Sequence, residues 1–185
     1  VLPRVFRTED EALFREKLQR FPQLSAVAVG NLGHLPIVEG LGLEVRGDFG
    51  LNVFNSRALA FLRELGLASA TVSFELRHQQ VRDLAKLLPC EGIVYGRLPL
   101  MVMENCITKN NVGCRHGAGS TLTDRTGAQF PVQCVYGCRN EIENSLPLFL
   151  ADKAEWRGCG LTSARLRFTT ETADECAAVL RRYLG

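Results

Sequence analysis

ATVSFELRHQQVRDLAKLLPCEGIVYG, residues 70–96, decides the fold class. ATVSFEL reads as a strand, RHQQVRDLAKLL places Val81, Leu84, Leu87 and Leu88 on the inward face of a helix, and GIVYG is a second strand. A strand, an amphipathic helix and a strand joined by short turns form a βα unit, whose crossover leaves the two strands parallel.

The same unit recurs upstream. LSAVAVGNLG at 24–33 is an apolar run closed by glycines, short enough for a buried strand, and GLEVRGDFGLNVFN at 42–55 reads as a strand followed by a loop. Asn55 or Ser56 can cap the helix SRALAFLRELG, which Gly66 ends. Strand starts near Ala26, Leu43, Ala70 and Gly92 are spaced by 17, 27 and 22 residues, as successive βα units require. Near the start, Thr8 and Glu11 stand in capping-box spacing before Leu13, Phe14, Leu18 and Phe21, which fall on one helical face. LPLFLADK (146–153) and SARLRFTT (163–170) are further strand candidates, and TADECAAVLRRYL (172–184) is a helix with Thr172 and Glu175 in capping-box spacing. Six strand candidates are too few for an eight-unit barrel. The expectation is an α/β fold, either a half TIM-type barrel or an open parallel sheet with covering helices.

Composition restricts the function less than the fold. The 185 residues are 46% hydrophobic and 23% charged, ordinary for one soluble domain, and the formal charge of +2 argues for neither nucleic acid nor membrane. No run approaches the roughly 20 apolar residues of a membrane span, and the opening VLPRVFRTEDEALF lacks a signal-peptide core, so no membrane partner and a cytoplasmic location are expected. The first residue is Val, which points to a piece excised from a longer chain. The expected organisation is a single domain over 1–185, with βα units at 1–103, a Cys-rich hairpin region at 104–140, and closing strands and a helix at 141–185.

Seven cysteines are an odd number, and structural disulfides are rare in a reducing compartment, so metal ligation becomes the leading alternative. Four of them, Cys106, Cys114, Cys134 and Cys138, fall in one window with spacing C-x7-C-x19-C-x3-C. Inside it STLTDRTGAQFPV has the form of a β-hairpin turning at Asp124–Gly127. With Leu122 opposite Gln129, Cys114, Cys134 and Cys138 meet at one end, and Cys106 needs only to fold back onto them. Only the last pair has the spacing usual in zinc sites, and iron-sulfur clusters also take four thiolates at variable spacing. Zinc, a cluster and unligated thiols all remain open at this point.

Asp48 with Asn52 follows a strand, at the end where barrel active sites gather, and Glu75 and Glu104 also end strand candidates. Loop and cap hydrogen bonding is the plainer role for each. His34, His78 and His116 lack a partner motif, although Cys106 with His116 is a conceivable nucleophile and base. There is no HExxH and no G-x-S-x-G. Arg97, Lys109, Arg115, Arg125 and Arg139 against Glu104 and Asp124 give +3 between positions 97 and 139, a patch suited to RNA or to solvent.

GDFGLNVFNSRALAFLRELGLASATVSFEL (47–76) and VYGRLPLMVMENC (94–106) resemble the core of the collagenase-like peptidase family U32. That family similarly shows a D-x-x-x-N-x-x-N-S strand-to-helix segment, a strand ending in S-E-L, and a G-R entry into a Cys-rich region. The resemblance implies a TIM-type barrel and either a peptidase, as the family label states, or an enzyme using a 4Fe-4S cluster for oxygen insertion into RNA bases or a quinone precursor. Carried over, the cluster ligands fall on Cys106, Cys114, Cys134 and Cys138, with Asp48, Asn52 and Glu75 at the barrel mouth and Arg97, Arg115, Arg125 and Arg139 toward RNA. The chain departs from the family in lacking an N-R-G-x-C run, since FPVQ precedes Cys134, and in lacking the first half of the barrel. LTDRTGAQFPV and CRNEIENSLPLFLADK resemble the C-terminal U32-like region of long members. There the remainder of the parent chain is the expected partner, and a docking module with structural zinc or an empty site is a further alternative.

Overall fold

The structure, a computed structural model, describes residues 1–114, 120–136 and 138–185. In chain order the helices are α1 (Glu11–Gln19), α2 (Leu35–Val38), α3 (Ser56–Glu64), α4 (His78–Leu84), α5 (Ile107–Val112), α6 (Ala154–Arg157) and α7 (Ala173–Leu184). The strands are β1 (Ala26–Val29), β2 (Glu44–Gly47), β3 (Ser69–Thr71), β4 (Cys90–Gly96), β5 (Pro99–Met103), β6 (Ser120–Thr123), β7 (Gln129–Val135), β8 (Arg139–Glu143), β9 (Leu148–Phe149) and β10 (Ser163–Arg167). The fold is mixed α/β with a parallel-rich sheet, and the chain divides into two compact units, Val1–Ile93 with Lys153–Arg165 and Val94–Asp152 with Leu166–Gly185. Among the described residues no helix is long and apolar enough to cross a membrane.

In the first unit β1, β2, β3 and the start of β4 lie side by side and pair in parallel. The strands begin within two residues of the expected positions, because each βα unit repeats the same alternation of a short apolar run and an amphipathic helix. Asn55 caps α3, its side-chain oxygen accepting the Ala58 N–H at 2.9 Å. Leu59 and Leu62 of this helix belong to the same buried core cluster as Val29, Val53, Val72 and Val81. Complete burial of a leucine such as Leu59 contributes about 2 kcal/mol.

Three local expectations shift. Leu87 is exposed whereas Val81, Leu84 and Leu88 are buried, because α4 ends at Leu84 and the following turn rotates Leu87 outward. A 3-10 turn at Thr8–Asp10 precedes α1, so the Thr8–Glu11 box does not form and the Arg7 N–H donates instead to the Asp10 carboxylate at 3.1 Å. Phe14 is buried and Leu18 packs on the core, but Leu13 and Phe21 are exposed.

The second unit carries an antiparallel sheet in the order β5-β8-β7-β6. The expected hairpin is its outer half, with the register displaced by one: Leu122 faces Phe130 and Thr123 faces Gln129. The cause is a turn one residue longer. The Asp124 carboxylate accepts the Thr126 N–H and hydroxyl at 2.7 Å and the Ala128 N–H at 3.0 Å, with Gly127 at φ 86° closing the reversal. A one-residue slip exchanges the two faces of a strand, and this register puts apolar Leu122 against apolar Phe130.

LPLFLADK contributes only the two-residue β9, antiparallel to the end of β4. The Tyr183 hydroxyl of α7 donates to the Val94 carbonyl at 2.6 Å and accepts the Leu150 N–H at 2.9 Å. Thr172 and Glu175 form the expected capping box. Arg167 grips both Glu143 oxygens, at 2.8 and 2.9 Å, and Glu141 at 2.6 Å. Gly96 has φ 124°, and a Cβ there would lie 2.1 Å from the Arg167 carbonyl oxygen, so only glycine lets the two backbones approach.

Candidate metal centre

Cys106 lies between β5 and α5, where it caps the helix through sulfur: its Sγ accepts the Lys109 N–H at 3.4 Å. The Asn140 side chain reaches the same sulfur, Nδ2 to Sγ being 3.7 Å, while its Oδ1 accepts the Ile107 N–H at 2.8 Å. Asn140 stands opposite Met103 on one side and Cys134 on the other. Residues opposite one another in an antiparallel ladder project from the same face, so Cys134 and the amide that touches Cys106 share a face of the sheet.

Cys138 occupies the turn between β7 and β8 in a left-handed conformation, φ 67°, uncommon for a residue with a Cβ. Burial pushes the Cys134 thiol pKa up, and the neighbouring Cys138 raises it further, with smaller contributions from Cys106 and Cys114. Among the described residues no group of three His, Cys, Asp or Glu side chains has closed to the spacing of one ion's ligands. The donor set is nevertheless uniformly soft sulfur, which suits zinc or iron-sulfur chemistry.

The basic residues are differently employed. Arg139, 7% exposed, donates to Glu104 at 2.5 Å. Arg97 donates to the Asn144 carbonyl at 2.9 Å, to the Ser145 carbonyl, and to the Thr170 hydroxyl at 3.4 Å. Arg125 is exposed in the hairpin turn. Arg115 and His116, together with the stretch that would extend the hairpin register toward Cys114, lie outside the described residues.

Asp48, Asn52 and Glu75 belong to the first unit. Asn52 is exposed at φ 48°, and Glu75 is exposed with its N–H toward the Ser73 hydroxyl at 3.4 Å. Asp48 is buried and paired with Arg165, whose guanidinium also meets Glu91 at 2.5 Å and Thr71 at 3.3 Å; Thr71 in turn donates to Glu91 at 2.8 Å. Sequence reading missed Arg165, Glu91 and Thr71. The available signal was SARLRFTT itself, a strand candidate carrying two arginines at alternate positions, which need carboxylate partners if they turn inward. His34 is also buried, and neither ring nitrogen has a hydrogen-bond partner among the described residues.

Residues 4–139 match the family model described as Peptidase family U32, while no curated protein and no solved structure matches the chain. The matched span holds all four cysteines of the window and stops one residue before Asn140.

Proposed function

The chain belongs to peptidase family U32, and from that premise we propose that Cys106, Cys114, Cys134 and Cys138 hold a 4Fe-4S cluster in an enzyme that inserts oxygen into RNA bases or a related ring. The observation that supports this reading is the link through Asn140, which pairs across the ladder with Cys134 while its amide reaches the Cys106 sulfur. Four thiolates are the usual ligand set of a 4Fe-4S cluster, and the C-x7-C-x19-C-x3-C spacing lacks the two close ligand pairs usual at structural zinc. Such a cluster, when bound, supplies electron-transfer chemistry at a potential set by its charge, its exposure and hydrogen bonds to its sulfurs.

The chain's own contribution is to hold the sulfurs. β7 and β8 carry Cys134 and Asn140, the turn presents Cys138, and the Lys109 N–H and the Asn140 amide restrain Cys106. With Arg97 and Arg139 held internally, Arg125, exposed in the hairpin turn, is read as the arginine among the described residues that approaches RNA phosphates. The parallel strands of the first unit are read as half of a TIM-type barrel. The single U32-like domain is read as completed by the remainder of a longer parent chain.

Anaerobic purification followed by iron, acid-labile sulfide and visible absorption measurements tests the centre. About four irons and four sulfides per chain are expected, lost when the four cysteines are replaced. Colourless protein with one zinc per chain overturns the cluster. The family description favours peptide cleavage as a second reading. Cleavage of gelatin that survives loss of the four cysteines, and is lost in an Asp48→Asn variant with unchanged unfolding midpoint, would favour that reading instead.

A further inference from the structure

We infer that Asn140 is a positioning residue for the metal centre, orienting the Cys106 sulfur and withdrawing charge from it through an N–H···S hydrogen bond. The inference rests on the four-thiol reading and concerns a residue outside the matched span. Asn140 is 1% exposed, and a buried amide is costly unless both its ends find partners. Its two ends are not interchangeable here. The Ile107 N–H can only donate, so it selects the side-chain oxygen, at 2.8 Å, and leaves the NH2 group directed at Cys106 Sγ, 3.7 Å away. The Lys109 N–H, 3.4 Å from the same sulfur, adds a second donor.

Cys106 is therefore approached from two directions by hydrogen-bond donors anchored in different elements, one in the backbone of α5 and one on β8. The second anchor is the firmer. Asn140 pairs across the ladder with Cys134, so a single residue ties Cys106 to the strand bearing another thiol. Donors to a ligand sulfur reduce the charge it passes to the metal, and in clusters they set the reduction potential.

The test separates orientation from simple structural support. Asn140→Asp keeps an oxygen for the Ile107 N–H but replaces the sulfur-directed donor with an acceptor; Asn140→Ser keeps an oxygen and removes the amide. Wild type and both variants are purified anaerobically, their iron and sulfide counted and their midpoint potentials measured. The expected result is a lower potential in both variants, with the larger shift in Asn140→Asp, at iron and sulfide contents equal to wild type. A wild-type potential in a fully loaded variant overturns the inference. Should Asn140→Asp not fold, Asn140→Ser is decisive by the same criterion.

The underlying reading fails separately. Wild-type protein that takes up neither iron nor cobalt(II) overturns the four-thiol site, and the inference with it. If wild type carries zinc, the cluster is overturned and Asn140 is tested in cobalt(II)-substituted protein. There, loss of the donor moves the thiolate-to-cobalt absorption to lower energy, and an unmoved band overturns the inference.

Discussion

Arg165 closes an ion pair on Asp48, 117 positions earlier in the chain, and with the same guanidinium meets Glu91 and Thr71. The group ties β10 to the loop after β2 and to β3 and β4 within the first unit. Two carboxylates around one guanidinium leave an excess negative charge that the arginine moderates. Replacing Arg165 with Ala strands Asp48 in the interior and is expected to cost about 2–3 kcal/mol, less than for a fully buried pair because Arg165 remains 25% exposed. Arg165→Lys keeps the charge but not the fork and falls between the two. Urea unfolding measures both, and an unchanged midpoint in Arg165→Ala would show that the pair contributes nothing.

Tyr95 gives the second unit a distinctive alkaline limb. Burial first, then its hydrogen bond to Glu171 and the charge of that carboxylate, push the phenol up to about 12. Burial alone would raise Glu171, but the N–H groups of Thr169 and Thr170 and the Tyr95 hydroxyl hold its pKa below the usual value. A phenol whose folded pKa is raised contributes stability that is complete below the unfolded value of about 10 and disappears as pH rises toward the folded one. Stability is therefore expected to fall between about pH 10 and 12, by at most about 3 kcal/mol, and the fall should be shallower in Tyr95→Phe. Unfolding curves across that range, with phenolate absorbance followed in parallel, decide the matter. Identical slopes for wild type and Tyr95→Phe would remove Tyr95 from the account.

The residues that were legible in the sequence are those whose roles depend on near neighbours. The βα repeat announced itself because Val81, Leu84 and Leu88 share a face through helical spacing, and the Asn55 and Thr172 caps lie beside the helices they close. The hairpin was visible but its register was not, since the Asp124 carboxylate contact to Ala128 decides between a two-residue and a three-residue loop. β8 escaped notice because RNEIE looks like solvated surface; Arg139, Glu141 and Glu143 are held by Glu104 and Arg167 from distant parts of the chain. Asn140 had no signal at all, for its meaning comes from what β5, β7 and α5 place around it.

His34 should govern part of the acid limb. It is fully buried, its ring 4.5 Å from that of Phe6, and both ring nitrogens lack hydrogen-bond partners among the described residues. Burial lowers its pKa; the Pro3 carbonyl opposes this, though it makes no hydrogen bond of acceptable geometry to the ring. The unfolded chain then binds a proton near pH 6.5 that the folded chain refuses, so stability is complete above about 6.5 and is lost as pH falls toward the folded value. His34→Leu removes the proton-binding group and the unsatisfied nitrogens while retaining an apolar side chain for the core. It is expected to be neutral or to stabilise by about 1 kcal/mol at pH 7, and its advantage should widen as pH falls. His78 and His116 remain in both proteins, so the difference between the two pH profiles isolates His34. Denaturant unfolding of wild type and variant between neutral and mildly acidic pH gives that difference directly. Two parallel curves would mean that His34 protonates in the folded chain as readily as in the unfolded one.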